Sequence, residues 1–116
     1  TKGIDDDALA AYNAPFPNED HKQGVRQFPN LVPATLRTPS AEPNKEAWNI
    51  LRQWEKPFLC AFSDKDPIFA DVENSFLKLV PGCKDMPHVT IKNAGHFLQE
   101  DQPEACVDAI LSIKEL

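Results

Sequence analysis

Two short runs with β character, Phe58-Leu59-Cys60-Ala61-Phe62 and His88-Val89-Thr90-Ile91, constrain this chain most. The first is apolar throughout, as expected where both faces of a strand are covered. Between them Val72, Phe76, Leu79 and Val80 recur on one helical face, and Pro81-Gly82 ends that helix. After the second run Asp101 stands as a helix cap, with Glu104 three residues later completing a capping-box-like start. Ala105, Val107, Ile110, Leu111 and Ile113 then give the buried side of the last helix. The order strand, helix, strand, helix implies parallel pairing through a right-handed crossover. Two strands alone leave unpaired edges on both sides. Residues 56–116 are therefore expected to be the far end of a larger α/β sheet.

The first half has a different texture. Six of the eleven prolines precede Pro57, so that half is expected to be broken into short helical pieces. A helix over residues 5–12 stops at Asn13-Ala14-Pro15-Phe16-Pro17. Asn18 caps a second helix, with Val25 and Phe28 on one face and Pro29 kinking or ending it. Residues 33–43 read as loop. A third helix runs from Asn44 to Trp54 with Ala47, Trp48, Leu51 and Trp54 as its apolar stripe. With 116 residues there is room for one domain at most, and residues 1–55 are expected to be a helical excursion rather than a sheet layer.

Charge and composition narrow the partners. The net charge of −6 argues against nucleic acid and anionic membranes. No apolar run approaches the ~20 residues that span a bilayer. Cys60, Cys83 and Cys106 have neither zinc spacing nor an even count, and read as packing thiols in a reducing cytosol. No metal cluster, phosphate loop or nucleotide fingerprint is present, so no cofactor is expected. The chain opens at Thr1 without a Met, and its natural start is expected upstream.

The chemistry lies in two loops. The first strand ends in Ser63-Asp64-Lys65-Asp66-Pro67, and the second is followed by Lys92-Asn93-Ala94-Gly95-His96. Loops at the carboxyl ends of parallel strands gather on one edge of a sheet. Asp66 and His96, 30 residues apart, are thus placed to face each other. A carboxylate accepting from one imidazole nitrogen fixes the tautomer, and the other nitrogen then takes a proton. Asp64 is the competing acid, and either aspartate also suits an ordinary Asx turn. His21 reads as a solvated surface histidine, and His88 as structural or exposed. Acid followed by histidine is the order of the last two triad members in α/β-hydrolases.

Several motifs carry a closer resemblance. Ala14-Pro15-Phe16-Pro17, Gly24-Val25-Arg26, Phe28-Pro29, Leu31-Val32, Ala61-Phe62-Ser63-Asp64-Lys65-Asp66-Pro67-Ile68 and Gly95-His96-Phe97-Leu98-Gln99-Glu100 resemble the carboxyl-terminal part of haloalkane dehalogenases. The Gly-His-Phe element is shared with epoxide hydrolases and many esterases. The proline-containing motifs of the first half are more specific. The likeness runs from about Leu9 to Leu116.

That resemblance implies an α/β fold comprising the end of a helical cap plus the last two parallel strands and helices of an α/β-hydrolase. It implies a small-molecule haloalkane as substrate and halide as product. An aspartate nucleophile displaces halide, and histidine-activated water hydrolyses the resulting alkyl-enzyme ester. By motif, Asp66 is the triad acid and His96 the base. Phe28, Pro29 and Val32 line the pocket from the cap, and Ile68 and Phe69 from the loop after the acid, although each equally suits plain core. The nucleophile and the halide-holding residues are expected before Thr1, so the chain is expected to be inactive alone. An epoxide or ester hydrolase, and an inactive fragment that pairs with another chain, are the alternatives.

Overall fold

A computed structural model of the protein describes residues 3–113. The described chain divides into two compact units, residues 3–49 and 50–113.

The first unit is built from short helical pieces, as its prolines dictate. Helix α1 (Asp6–Asn13) is capped by Asp5, whose carboxylate accepts the Ala8 N–H. Asn18 caps a 3₁₀ turn, Glu19–Lys22, by accepting the Asp20 N–H. Helix α2 (Gln23–Gln27) then tightens into a second 3₁₀ turn, Phe28–Leu31, where Pro29 stands near the start. Helix α3 (Ala41–Leu51) begins three residues earlier and ends three residues sooner than the stripe suggests. Pro43 is the reason for the early start. It occupies the third helical position, where the N–H has no intrahelical acceptor and its loss costs little. Trp54 lies beyond the helix, with the Lys56 ammonium 5.7 Å from its ring centroid. None of the described residues of this unit is buried.

The second unit holds the core. Strand β1 (Ala61–Ser63) and strand β2 (Val89–Ile91) pair in parallel, with Ala61 opposite Val89 and Ser63 opposite Ile91. Strand β1 is shorter than its apolar run and shifted toward the carboxyl side. The Cys60 carbonyl still accepts the Val89 N–H at 2.9 Å, but the N–H groups before the strand are bonded elsewhere. Phe58 N–H donates to the Gly82 carbonyl at 2.9 Å, and Cys60 N–H donates to Nδ1 of His88 at 3.0 Å. His88 Nε2–H in turn donates to the Cys83 carbonyl at 2.8 Å. Because a backbone N–H can only donate and a carbonyl only accept, the proton of this imidazole sits on Nε2. A side chain thus replaces a neighbouring strand where the ladder stops.

Helix α4 (Val72–Leu79) packs Phe76 against Phe58 and Phe62, with ring centroids 5.6 and 6.2 Å apart. It is followed by a 3₁₀ turn, Pro81–Cys83. Ile91, Cys60, Val80, Cys83, Ala94 and Ala109 form the buried core. All three cysteines are free, and the Sγ atoms of Cys60 and Cys83 lie 3.9 Å apart. Burial, followed by the neighbouring Cys83 thiol, pushes Cys60 up to about 12, which makes it a packing group and a poor nucleophile.

The last helical region departs from expectation. It is two pieces, α5 (Leu98–Asp101) and α6 (Pro103–Ser112). Asp101 does not cap α6: Gln102 holds that position and makes no side-chain cap bond, so no capping box forms with Glu104. Pro103 removes one of the donors that a cap would have served. The expected apolar side of α6 is also largely uncovered, with Val107, Ile110 and Leu111 about half exposed or more, and Ala109 buried instead. Two strands offer too little surface to cover it. An apolar recess of about 270 Å³ lies between α6 and the sheet, lined by Leu59, Ala61, Leu98, Cys106 and Ile110 among others.

Gly82 is fixed by close approach. A Cβ there would sit 2.0 Å from the Lys56 carbonyl oxygen, while Gly82 N–H donates to the Trp54 carbonyl at 2.7 Å. Gly82→Ala is therefore expected to lower unfolding stability by about 2–3 kcal/mol, the cost of forcing backbone apart in a packed region. Urea unfolding of the two proteins side by side measures it, and an unchanged midpoint would contradict the packing described.

Candidate active site

The site grows from the point where the two strands end. Pairing continues past β1: Asp64 N–H donates to the Ile91 carbonyl at 3.1 Å, and Lys65 N–H to the Ala94 carbonyl at 3.0 Å. Asp64 Oδ1 accepts the Ala94 N–H at 3.4 Å, and Lys65 Nζ reaches Asn93 Oδ1 at 3.1 Å. Asn93 adopts φ of +59°, a left-handed conformation that asparagine tolerates better than most residues. These bonds hold the acid loop and the histidine loop side by side. Asp64, the competing acid of the sequence, is occupied with the backbone of the histidine loop.

Asp66 divides its two oxygens. Oδ1 accepts the N–H groups of Ile68 at 2.7 Å and Phe69 at 3.2 Å, an Asx-type turn that closes the loop. Oδ2 meets His96 Nδ1 at 3.0 Å. The turn and the histidine contact, which the sequence presents as rivals, coexist on one carboxylate. The Asp66 side chain is 9% exposed and that of His96 31%. Burial pushes the Asp66 carboxyl up, but the Ile68 N–H, His96 and the Phe69 N–H together outweigh it and hold the carboxyl below the usual range. With the carboxylate accepting at Nδ1, a neutral His96 carries its proton there and keeps the Nε2 lone pair for a proton from elsewhere.

Two rings fix the plane of this imidazole. Phe69 lies with its centroid 5.3 Å from that of His96, tilted by 42°, and Phe97 meets it edge-on at 5.1 Å. Ile68 and Phe69 follow Asp66 directly and are exposed at 63% and 43%. Phe28, Pro29 and Val32 lie in the first unit, at and just after the Phe28–Leu31 turn, with Phe28 75% and Val32 59% exposed. The only sign of the Phe97 contact in the sequence is its place next to His96. His21 is exposed and bonds Asn18 Oδ1 through Nδ1 at 2.7 Å. Among the described residues, no group of three or more His, Cys, Asp or Glu side chains is placed to hold a metal ion. None of their helices is long and apolar enough to cross a membrane.

Similarity to characterised sequences bears on what this pair belongs to. No family model matches the chain. A protein named haloalkane dehalogenase from Psychrobacter cryohalolentis is 54% identical over 96 residues, which cover 83% of this chain and 32% of that protein. The chain matches the carboxyl-terminal part of haloalkane dehalogenases. A haloalkane dehalogenase from Mycolicibacterium paratuberculosis is 43% identical over 103 residues, covering 89% of this chain and 34% of the relative. Haloalkane dehalogenase 1 of Mycobacterium tuberculosis is 41% identical over the same shares. The chain thus spans about a third of the length of the curated relatives it matches. Dehalogenase relatives imply an α/β-hydrolase fold, with which a two-stranded parallel sheet among helices is consistent.

The lowered Asp66 carboxyl makes an acid-side prediction. A group whose folded value is depressed contributes stability in full above the ordinary aspartate range, near pH 4, and loses it as pH falls through the depressed value. The Ile68 and Phe69 amide resonances should therefore share a transition below about pH 4 as the carboxylate is protonated. Absence of a shared titration of the two amides below about pH 4 would contradict the anchoring.

Proposed function

We propose that this chain supplies the acid and the base of a hydrolytic site that cleaves carbon–halogen bonds in small haloalkanes. In this reading, residues 1–55 are the end of a helical cap with its return helix. Residues 56–116 are the last strand-helix-strand-helix of an α/β-hydrolase main domain. The observation that carries the reading is the 3.0 Å contact between His96 Nδ1 and an Asp66 carboxylate anchored by two backbone N–H groups.

The chemistry follows from that contact and from the resemblance to dehalogenases. An aspartate carboxylate, supplied by a segment outside this chain, attacks the carbon bearing halogen. The carbon–halogen bond breaks and halide leaves, giving an alkyl-enzyme ester. His96 Nε2 takes a proton from water as the water oxygen adds to the ester carbonyl, and Asp66 stabilises the imidazolium so formed. The imidazolium returns the proton to the departing alkoxide, which leaves as alcohol, and the regenerated aspartic acid gives its proton to solvent to restore the carboxylate. The resemblance to dehalogenases makes Phe28, Pro29 and Val32 of the first unit, and Ile68 and Phe69 of the second, the candidate substrate-contacting residues. The free thiols suit a cytoplasmic setting.

The test joins this chain to the amino-terminal two thirds of the Psychrobacter relative and follows halide release from a bromoalkane. Steady turnover is expected. His96→Ala should release about one halide per protein and then stall with the ester trapped, since a missing base blocks only the second step. Repeated turnover by His96→Ala would refute His96 as the base. Faster turnover of an epoxide than of the bromoalkane would move the assignment to a neighbouring hydrolase class.

A further inference from the structure

Asp101, read from sequence as a cap, has a different occupation. Its Oδ2 accepts the Gly95 N–H at 2.7 Å in a partly buried setting. Gly95 immediately precedes His96 and is itself buried, and Ala94 before it is fully buried. On the upstream side Ala94 is held through both its N–H and its carbonyl by Asp64 and Lys65. On the downstream side the Asp101 carboxylate reaches back across six residues. The Ala94–Gly95 peptide, the one just before His96, is thus gripped at both its carbonyl and its N–H. The grip from Asp101 is a charge-assisted bond, the stronger kind. Asp101 has no capping duty toward α6, which begins at Pro103 after Gln102. Phe97, which meets the imidazole edge-on, lies within the same short loop that this bond closes.

We propose that Asp101 is a positioning residue for the site: its carboxylate, by accepting the Gly95 N–H, sets the backbone of His96 and thereby the direction of Nε2. The inference rests on the reading of His96 as the base. A base displaced by a fraction of an ångström still leaves the nucleophile free to displace halide, but it slows attack of water on the ester. Asp101 should therefore matter to the second chemical step and not to the first.

The test uses the joined hydrolase described above and measures the rate of ester hydrolysis per ester formed. The halide burst counts competent molecules, so a fraction that fails to fold does not enter the rate. Asp101→Ala should keep the burst, leave kcat/KM unchanged while KM falls together with kcat, and slow ester hydrolysis by roughly 10- to 100-fold, the cost of a misplaced catalytic group. Asp101→Asn keeps an acceptor for Gly95 with a weaker bond and should stay within about threefold of the parent. Hydrolysis at the parental rate in Asp101→Ala would overturn the inference. If that variant gives no burst, Asp101→Ser, too short to reach Gly95, is read in the same way. No burst in either would mean that Asp101 serves the fold alone, and would overturn the inference too. His96→Ala in the same experiment separates the two readings: repeated turnover there sinks the base assignment, while a trapped ester there beside an unimpaired Asp101→Ala sinks only the positioning role.

Discussion

Two chain segments far apart in sequence are laced together beyond the end of a very short sheet, and the site depends on that lacing. The regular ladder covers three residues on each strand. Past it the Asp64 and Lys65 amides still find carbonyls on the other segment, at Ile91 and Ala94. Ladder geometry is thereby carried into loops, which otherwise are the most mobile parts of a fold. Without those bonds Asp66 and His96 would sit on independent loops, and their contact would cost the ordering of both. With them most of that ordering is already present, and the contact is formed at little further entropic expense.

The strand pairing and the meeting of Asp66 with His96 were legible in sequence for the same reason. Both residues follow β-forming runs joined by one helix, and parallel pairing delivers both loops to the same edge. Which aspartate meets the imidazole was less legible, because both suit a turn. The structure separates them by reach: Asp64 bonds the backbone at Ala94, and Asp66 bonds the side chain of His96. What the pair does chemically comes from its geometry and from the dehalogenase likeness, not from the pattern of the residues alone.

Elsewhere local rules gave way to tertiary ones. The run from Phe58 to Phe62 reads as one strand, but its first part bonds to Gly82 and His88, a partner that no periodicity reveals. Pro43 reads as a breaker and yet sits within the first turn of α3, where its missing N–H does no harm. Asp101 and Glu104 have capping-box spacing, but the carboxylate has a stronger claimant in the Gly95 N–H. Helix α6 carries an apolar pattern wider than the two strands cover, so the pattern predicts burial that Val107, Ile110 and Leu111 do not reach among the described residues.

The three thiols offer a view of how this unit breathes. Cys106 is partly accessible on α6, whereas Cys60 and Cys83 are sealed side by side beneath the strand and the 3₁₀ turn. An alkylating reagent meets the first directly. It reaches the other two only in the fraction of molecules where Phe58 and His88 have let go of their partners. The lag between the first modification and the later two, compared with the same thiols in the unfolded chain, then gauges how often that opening occurs and so how tightly the sheet is packed.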